Sequence, residues 1–242
     1  MKDFQDQFSS SAATGCCDIV DSLIEDGIDI HQNHNLALNL AACNGHLNVV
    51  QRIVDKCMND HIHDDNKEIF ITTLSFAAQN GRLDIVKFLV SKGVNADKAL
   101  SCASDMDNVD IVEFLLKEGY VDPNAINGEA LKRASYAGNL DIVKILIEYG
   151  ADLNAYGEDA LKKAASSGEY YVVKYLFKQN VISIQKDDEC LLDYMLYAAI
   201  EYSDIDFVNY ICSQVNMRTM YKRNPIVKKY INYIKERVNS RI

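Results

Sequence analysis

The chain has no tryptophan, only two prolines and no run of 18 apolar residues. The last absence excludes a helix that spans a bilayer. The opening stretch, MKDFQDQFSSSAATG, lacks the apolar core of a secretory signal, so none is expected. Seven cysteines are scattered without a single CxxC pair. Such spacing argues against a disulfide framework and fits reduced thiols in a cytoplasmic setting, with the nucleus also open. Basic residues are in deficit: the net charge is −10, which argues against broad affinity for nucleic acid. No phosphate-binding loop, GxSxG elbow or Cys-His pair with a placed third member is present, so no enzyme is expected and no cofactor is called for. What remains is 48% hydrophobic residues over 242 positions, enough to fold as a large domain or two small ones.

What is present is repetition. GCCDIV begins at Gly15, GHLNVV at Gly45, GRLDIV at Gly81, DNVDIV at Asp107, GNLDIV at Gly138, GEYYVV at Gly168 and a worn SDIDFV at Ser203. Twelve residues after an anchor stands a second glycine in four copies, Gly27, Gly93, Gly119 and Gly150. A ligand loop needs its glycines once, whereas a stack of identical bricks needs them in every copy. Each brick reads as two helices. Seven residues before an anchor lies a large apolar residue, as at Leu38, Leu74, Leu100, Leu131 and Leu161. Pairs of small residues follow it, such as Ala41-Ala42, Ala77-Ala78 and Ala134-Ser135, where a neighbouring helix can come close. After the anchor, apolar residues recur at i, i+1, i+4 and i+5, as in Ile85, Val86, Leu89 and Val90, the stripe of one buried helical face. Asp18, Asp84, Asp110, Asp141 and Asp206 open this second helix, where its dipole favours an anion.

Helix pairs of this period, with GADLNA at 150–155 and DPNA at 122–125, resemble ankyrin repeats over nearly the whole chain. The usual Thr-Pro-Leu-His helix start is missing: the equivalent stretches read ITTLS, DKALS, GEALK and EDALK. The connection from Asn154 to Leu161 is also short, so the projecting β-hairpin is expected to be clipped. Short repeats of this form are most similar to the ankyrin arrays of giant amoebal viruses. The resemblance implies an all-α ankyrin solenoid of about seven helix-turn-helix repeats over residues 1–216, closed by a basic C-terminal helix over 217–242. It further implies a monomeric, non-catalytic scaffold that binds a protein partner on its concave face. If the chain is viral, the partner is a host protein and the place of action the host cytoplasm. No small-molecule substrate is implied.

On that reading the positions just before each anchor line the partner face: Cys43 and Asn44, Gln79 and Asn80, Asp105 and Met106, Tyr136 and Ala137, Ser166 and Ser167. They vary between copies while the core positions do not. Lys132-Arg133 and Lys162-Lys163 occupy equivalent places in successive repeats, and stacking is expected to merge them into a basic patch for an acidic segment of the partner. Against this stands the plainer reading of a solvated face. Cys57, His61, His63, Asp64 and Asp65 are metal-ligand types, but they fall in the longest gap between repeats and have no matching second cluster, so no metal site is expected. Cys17 shares the register of Leu83 and Leu140 and is expected to be buried. From Met217 to Ile242 eight basic residues face Glu236 alone, a charge of +7 that leaves −17 on the rest. Asn224 and Pro225 suit a helix start there, and a solenoid's last repeat needs a cover. The alternative is that this segment recruits a second partner, such as ubiquitin-ligase machinery, or an anionic nucleic-acid or membrane surface. Poxviral ankyrin proteins with a C-terminal recruiting module have a related layout, but nothing here matches that module's motif.

Overall fold

A computed structural model of the chain describes residues 2–30, 32–59, 66–179, 189–202 and 204–214. Fourteen α-helices and no strand occupy these residues. They run in pairs: α1 (Lys2–Thr14) with α2 (Cys17–Glu25), α3 (Gln32–Asn44) with α4 (Leu47–Asn59), α5 (Asn66–Gln79) with α6 (Leu83–Ser91), and α7 (Asp97–Asp105) with α8 (Val109–Lys117). Then follow α9 (Ala125–Ala137) with α10 (Leu140–Glu148), α11 (Leu153–Ser167) with α12 (Tyr170–Lys178), and α13 (Glu189–Glu201) with α14 (Ile205–Gln214). Every second helix starts two residues after its anchor. The C-terminal segment expected as a cap, 217–242, lies outside the described residues, as do His61, His63, Asp64 and Asp65.

The break between the helices of each of the first six pairs has one cause. At the end of α1, Gly15 takes φ +77°, the Gly15 amide donates to the Ala12 carbonyl at 3.3 Å and the Cys16 amide to Ser11 at 2.9 Å. This is the glycine-terminated helix stop in which a left-handed residue lets the next two amides turn back onto the final carbonyls. The residue after the glycine ends one helix and begins the next, so two helices meet with no loop between them. In the fourth pair an aspartate holds the glycine's place, and Asp107 sits at φ +57°.

Several second helices have only nine residues, too few for stability in isolation. Packing holds them. Ile85, Val86, Leu89, Ile111, Val112, Leu115, Ile142, Val143 and Leu146 have no exposed surface, and burial of each such side chain contributes roughly 1.5–3 kcal/mol. Among the first helices Leu38, Leu74 and Leu131 are fully buried beside Ala41, Ala42, Ala77, Ala78 and Ala134.

The chain forms two compact units, residues Met1–Ala134 with Asp141–Ala151, and residues Ser135–Leu140 with Asp152–Ile242. In the first unit α1, α3, α5 and α7 stack in one layer and α2, α4, α6 and α8 in a second. In the second unit α11 packs on α12 and α13, α12 on α13, and α13 on α14.

The segment 154–161 differs from the connection expected of it. It is not a shortened hairpin but the first turns of α11, started by Asp152, whose Oδ1 accepts from the Asn154 amide at 2.9 Å and the Ala155 amide at 3.2 Å. Where the preceding repeat has its corresponding stretch, Ile126, Asn127 and Gly128 are all left-handed, with φ of 51°, 57° and 66°. Cys17 is half-buried rather than buried, and Cys16 beside it is exposed.

Candidate functional site

The ends of the first helices carry the side chains expected to meet a partner. In the first unit Asn44, Gln79, Asn80 and Met106 are exposed and Asp105 is half-buried. In the second, Tyr136, Lys162, Lys163 and Ser166 are exposed. Several of them are tied to backbone carbonyls, Asn44 to the preceding repeat and Asn80 and Ser166 to their own helices. Asn44 Nδ2 donates to the Ala13 carbonyl at 2.8 Å, Asn80 Nδ2 to Phe76 at 2.9 Å, and the Ser166 hydroxyl to Lys163 at 2.8 Å. Hydrogen bonds of this kind finish a helix end and leave less of the side chain for a ligand. Met106, 48% exposed, and Tyr136, 54% exposed, are large, apolar over most of their surface, and lie one turn from fully buried core residues.

Phe76 belongs with them and was not among the residues expected. It stands five residues before its anchor, the same register as Arg133 and Lys163, and is 37% exposed. A phenylalanine on a helix that also carries Phe70, Leu74, Ala77 and Ala78 reads as core, and only its register gave a signal that it faces outwards.

The cations are less available than their spacing suggests. Lys132 lies 3.6 Å from Glu129, and Arg133 donates to the same carboxylate at 2.8 Å and approaches Asp105 at 3.4 Å. The Glu129 hydrogen bond, opposed by partial burial, raises the Arg133 pKa further. Lys162 pairs with Glu158 on its own helix. Lys132 and Arg133 belong to the first unit, Lys162 and Lys163 to the second. Beside Arg133, burial pushes the Cys102 thiol up in pKa, which keeps it protonated and unreactive at neutral pH.

A second set of residues, immediately after the anchors, holds repeat to repeat. His46 Nε2 lies 3.0 Å from the Ala13 carbonyl, Arg82 Nε donates to Cys43 at 2.9 Å, and Asn108 Nδ2 donates to Ala78 at 2.8 Å and Gln79 at 3.1 Å. Each reaches back about one repeat to carbonyls left open at a helix end. Each also lies over the preceding glycine: a Cβ on Gly15 would come within 2.6 Å of the His46 ring. None of the helices starting at Leu83, Val109 or Tyr170 has a side-chain cap from the residue before it.

Among the described residues no group of three or more His, Cys, Asp or Glu side chains could hold a metal ion. Cys57 is buried in α4. No described helix is long and apolar enough to cross a membrane.

A family model described as ankyrin repeats matches residues 8–99, 38–127 and 100–188. An ankyrin repeat protein of Acanthamoeba polyphaga mimivirus is 26% identical over 166 residues, 62% of this chain and 39% of the relative's length. The chain thus spans well under half of that relative. The crystal structure of the human ASB11 ankyrin repeat domain is similar with a TM-score of 0.60 and 20% identity, over 77% of this chain and 90% of that domain, a likeness of fold.

Proposed function

The chain belongs to the ankyrin-repeat family, whose members are generally protein-interaction modules and typically non-catalytic, and from that premise we propose that it is a scaffold binding one protein partner on the ends of its first helices. The observation that carries this reading is the exposure of Met106 and Tyr136 directly beside a fully buried core. Large side chains of low polarity are the usual anchors of an interface. In the first unit Phe76, the polar Asn44, Gln79, Asn80 and Asp105, and the cations Lys132 and Arg133 accompany Met106, and in the second Ser166, Lys162 and Lys163 accompany Tyr136. The partner is a host protein, met in the cytoplasm, if the chain is viral as its mimivirus relative is.

The test is affinity purification from the native host cell with mass spectrometry, using the whole chain and the variants M106E and Y136E. A partner captured by the natural chain and lost with either variant supports the reading. Equal capture by all three rejects it. The alternative, recruitment of a second partner or an anionic surface by residues 217–242, rests on their charge of +7. Its mark is binding that weakens with salt and disappears when those residues are removed.

A further inference from the structure

The second unit has an opening that the repeat pattern does not call for. Other copies begin their second helix with Leu83-Asp84 or Leu140-Asp141, whereas α12 begins with Tyr170-Tyr171. Tyr170 is buried and stacks face to face on Tyr202, with centroids 4.5 Å apart. Its hydroxyl donates to Asp204 Oδ2 at 2.8 Å. Lys174 pairs with that same oxygen, and the Phe207 amide donates to Oδ1 at 3.0 Å. Asp204 is therefore fully engaged. Tyr171, 61% exposed, stands at 70° to the half-exposed Tyr202 with centroids 5.7 Å apart. Together with Ile205 and Asp206 these residues line a pocket. Asp206 is exposed, as is Glu201 next to Tyr202. Two tyrosine rings set as a corner, an exposed isoleucine and the Asp206 carboxylate match a lysine or arginine: the cation lies against ring and carboxylate, and its aliphatic stem against Ile205.

We propose that this pocket receives the chain's own basic segment, residues 217–242. The segment carries eight basic residues against one acidic. It begins three residues beyond α14, the helix whose first turn supplies Ile205 and Asp206. A ten-residue helix is about 15 Å long, so 26 further residues reach back to its start with length to spare. Tethering holds the cations at an effective concentration of roughly millimolar, and the pocket needs only modest affinity to be filled. The segment is then a latch held within its own molecule, and an external anionic surface has to compete for it.

Trypsin cuts after lysine and arginine, so the segment reports its own docking. The experiment is limited tryptic digestion of the whole chain, followed by mass spectrometry at positions 218–241. In the natural chain these sites are cut slowly. In Y171A, in D206K, and in the natural chain at about 0.5 M salt, where screening is short-ranged, they are cut at least ~5-fold faster, because cleavage tracks the open population. Both altered side chains are exposed, so circular dichroism and cleavage elsewhere stay unchanged. Unchanged cleavage of the segment in the two variants overturns the proposal. Protection that rises with protein concentration also overturns it, by placing the segment in a second copy.

Discussion

At the scale of single residues, the backbone shows where the chain is held against its preference. Asp107 occupies a glycine position at φ +57°, and left-handed geometry costs a residue with a Cβ roughly 1–2 kcal/mol, less for aspartate. D107G is expected to raise stability by about 0.5 kcal/mol or more, read as a higher urea midpoint at constant slope. The reverse holds at Gly15. There a methyl group adds left-handed strain and presses on a His46 ring anchored to the Ala13 carbonyl, so G15A is expected to cost about 2 kcal/mol. Ser135 is a different case: its buried hydroxyl has no hydrogen-bond partner. S135A removes an unsatisfied polar atom at little change of shape, and is expected to stabilise by about 1 kcal/mol in thermal or urea unfolding. The glycine at an anchor was legible from the sequence because its reason is local. The orphaned hydroxyl of Ser135 was not, since the equivalent Ser104 hydroxyl donates to Leu100 at 2.7 Å.

At the scale of elements, the turn between α13 and α14 depends on one carboxylate. Partial burial works against the ionised form of Asp204, but hydrogen bonds from Lys174, the Phe207 amide and Tyr170 outweigh it and bring its pKa from 3.8 to about 2. A carboxyl with a lowered folded-state pKa contributes stability above its unfolded value and loses it as the pH falls through the folded one. The last helix pair is therefore expected to loosen between about pH 4 and pH 2, seen as faster amide exchange in α14. Burial, reinforced by the bond to Asp204, pushes the Tyr170 hydroxyl up from 10. That contribution is present below pH 10 and declines above it, so one contact sets both limits. D204N keeps the shape but gives up the ion pair, and is expected to destabilise the pair by roughly 1–3 kcal/mol and to flatten the acid limb. The helix pairs themselves were readable from period and glycine phase. The use of His46, Arg82 and Asn108 as ties to the preceding repeat was not, because their acceptors are backbone carbonyls, which leave no trace in residue type.

At the scale of the molecule, charge and exposed apolar surface divide the work. The cations at 132, 133 and 162 are engaged by Glu129, Asp105 and Glu158, and exposed ion pairs of this kind contribute little to stability. Replacing Lys132, Arg133, Lys162 and Lys163 by glutamine is expected to leave folding intact and to weaken partner capture far less than M106E does. A larger loss in the glutamine variant would make an acidic segment of the partner the main contact. Residues 1–216, at −17, are not expected to bind nucleic acid at physiological salt, which fluorescence anisotropy with a labelled oligonucleotide checks.

The sequence by itself determined the helix pairs, their breaks and their buried stripes. Each of these is set by neighbours within one or two turns, and repetition printed the same instructions several times. Tertiary structure alone decided which surface groups remain available. Arg133 meets Asp105 across 28 positions, Arg82 meets Cys43 across 39, and Tyr170 meets Asp204 across 34. Such partners are chosen by the register in which one repeat stacks on the next. Small changes of register exchange one partner for another without altering the local pattern. For that reason Lys132, Arg133 and Lys162 looked free in the sequence and are paired in the structure, and the tyrosine corner beside Asp204 became visible only once the chain was folded.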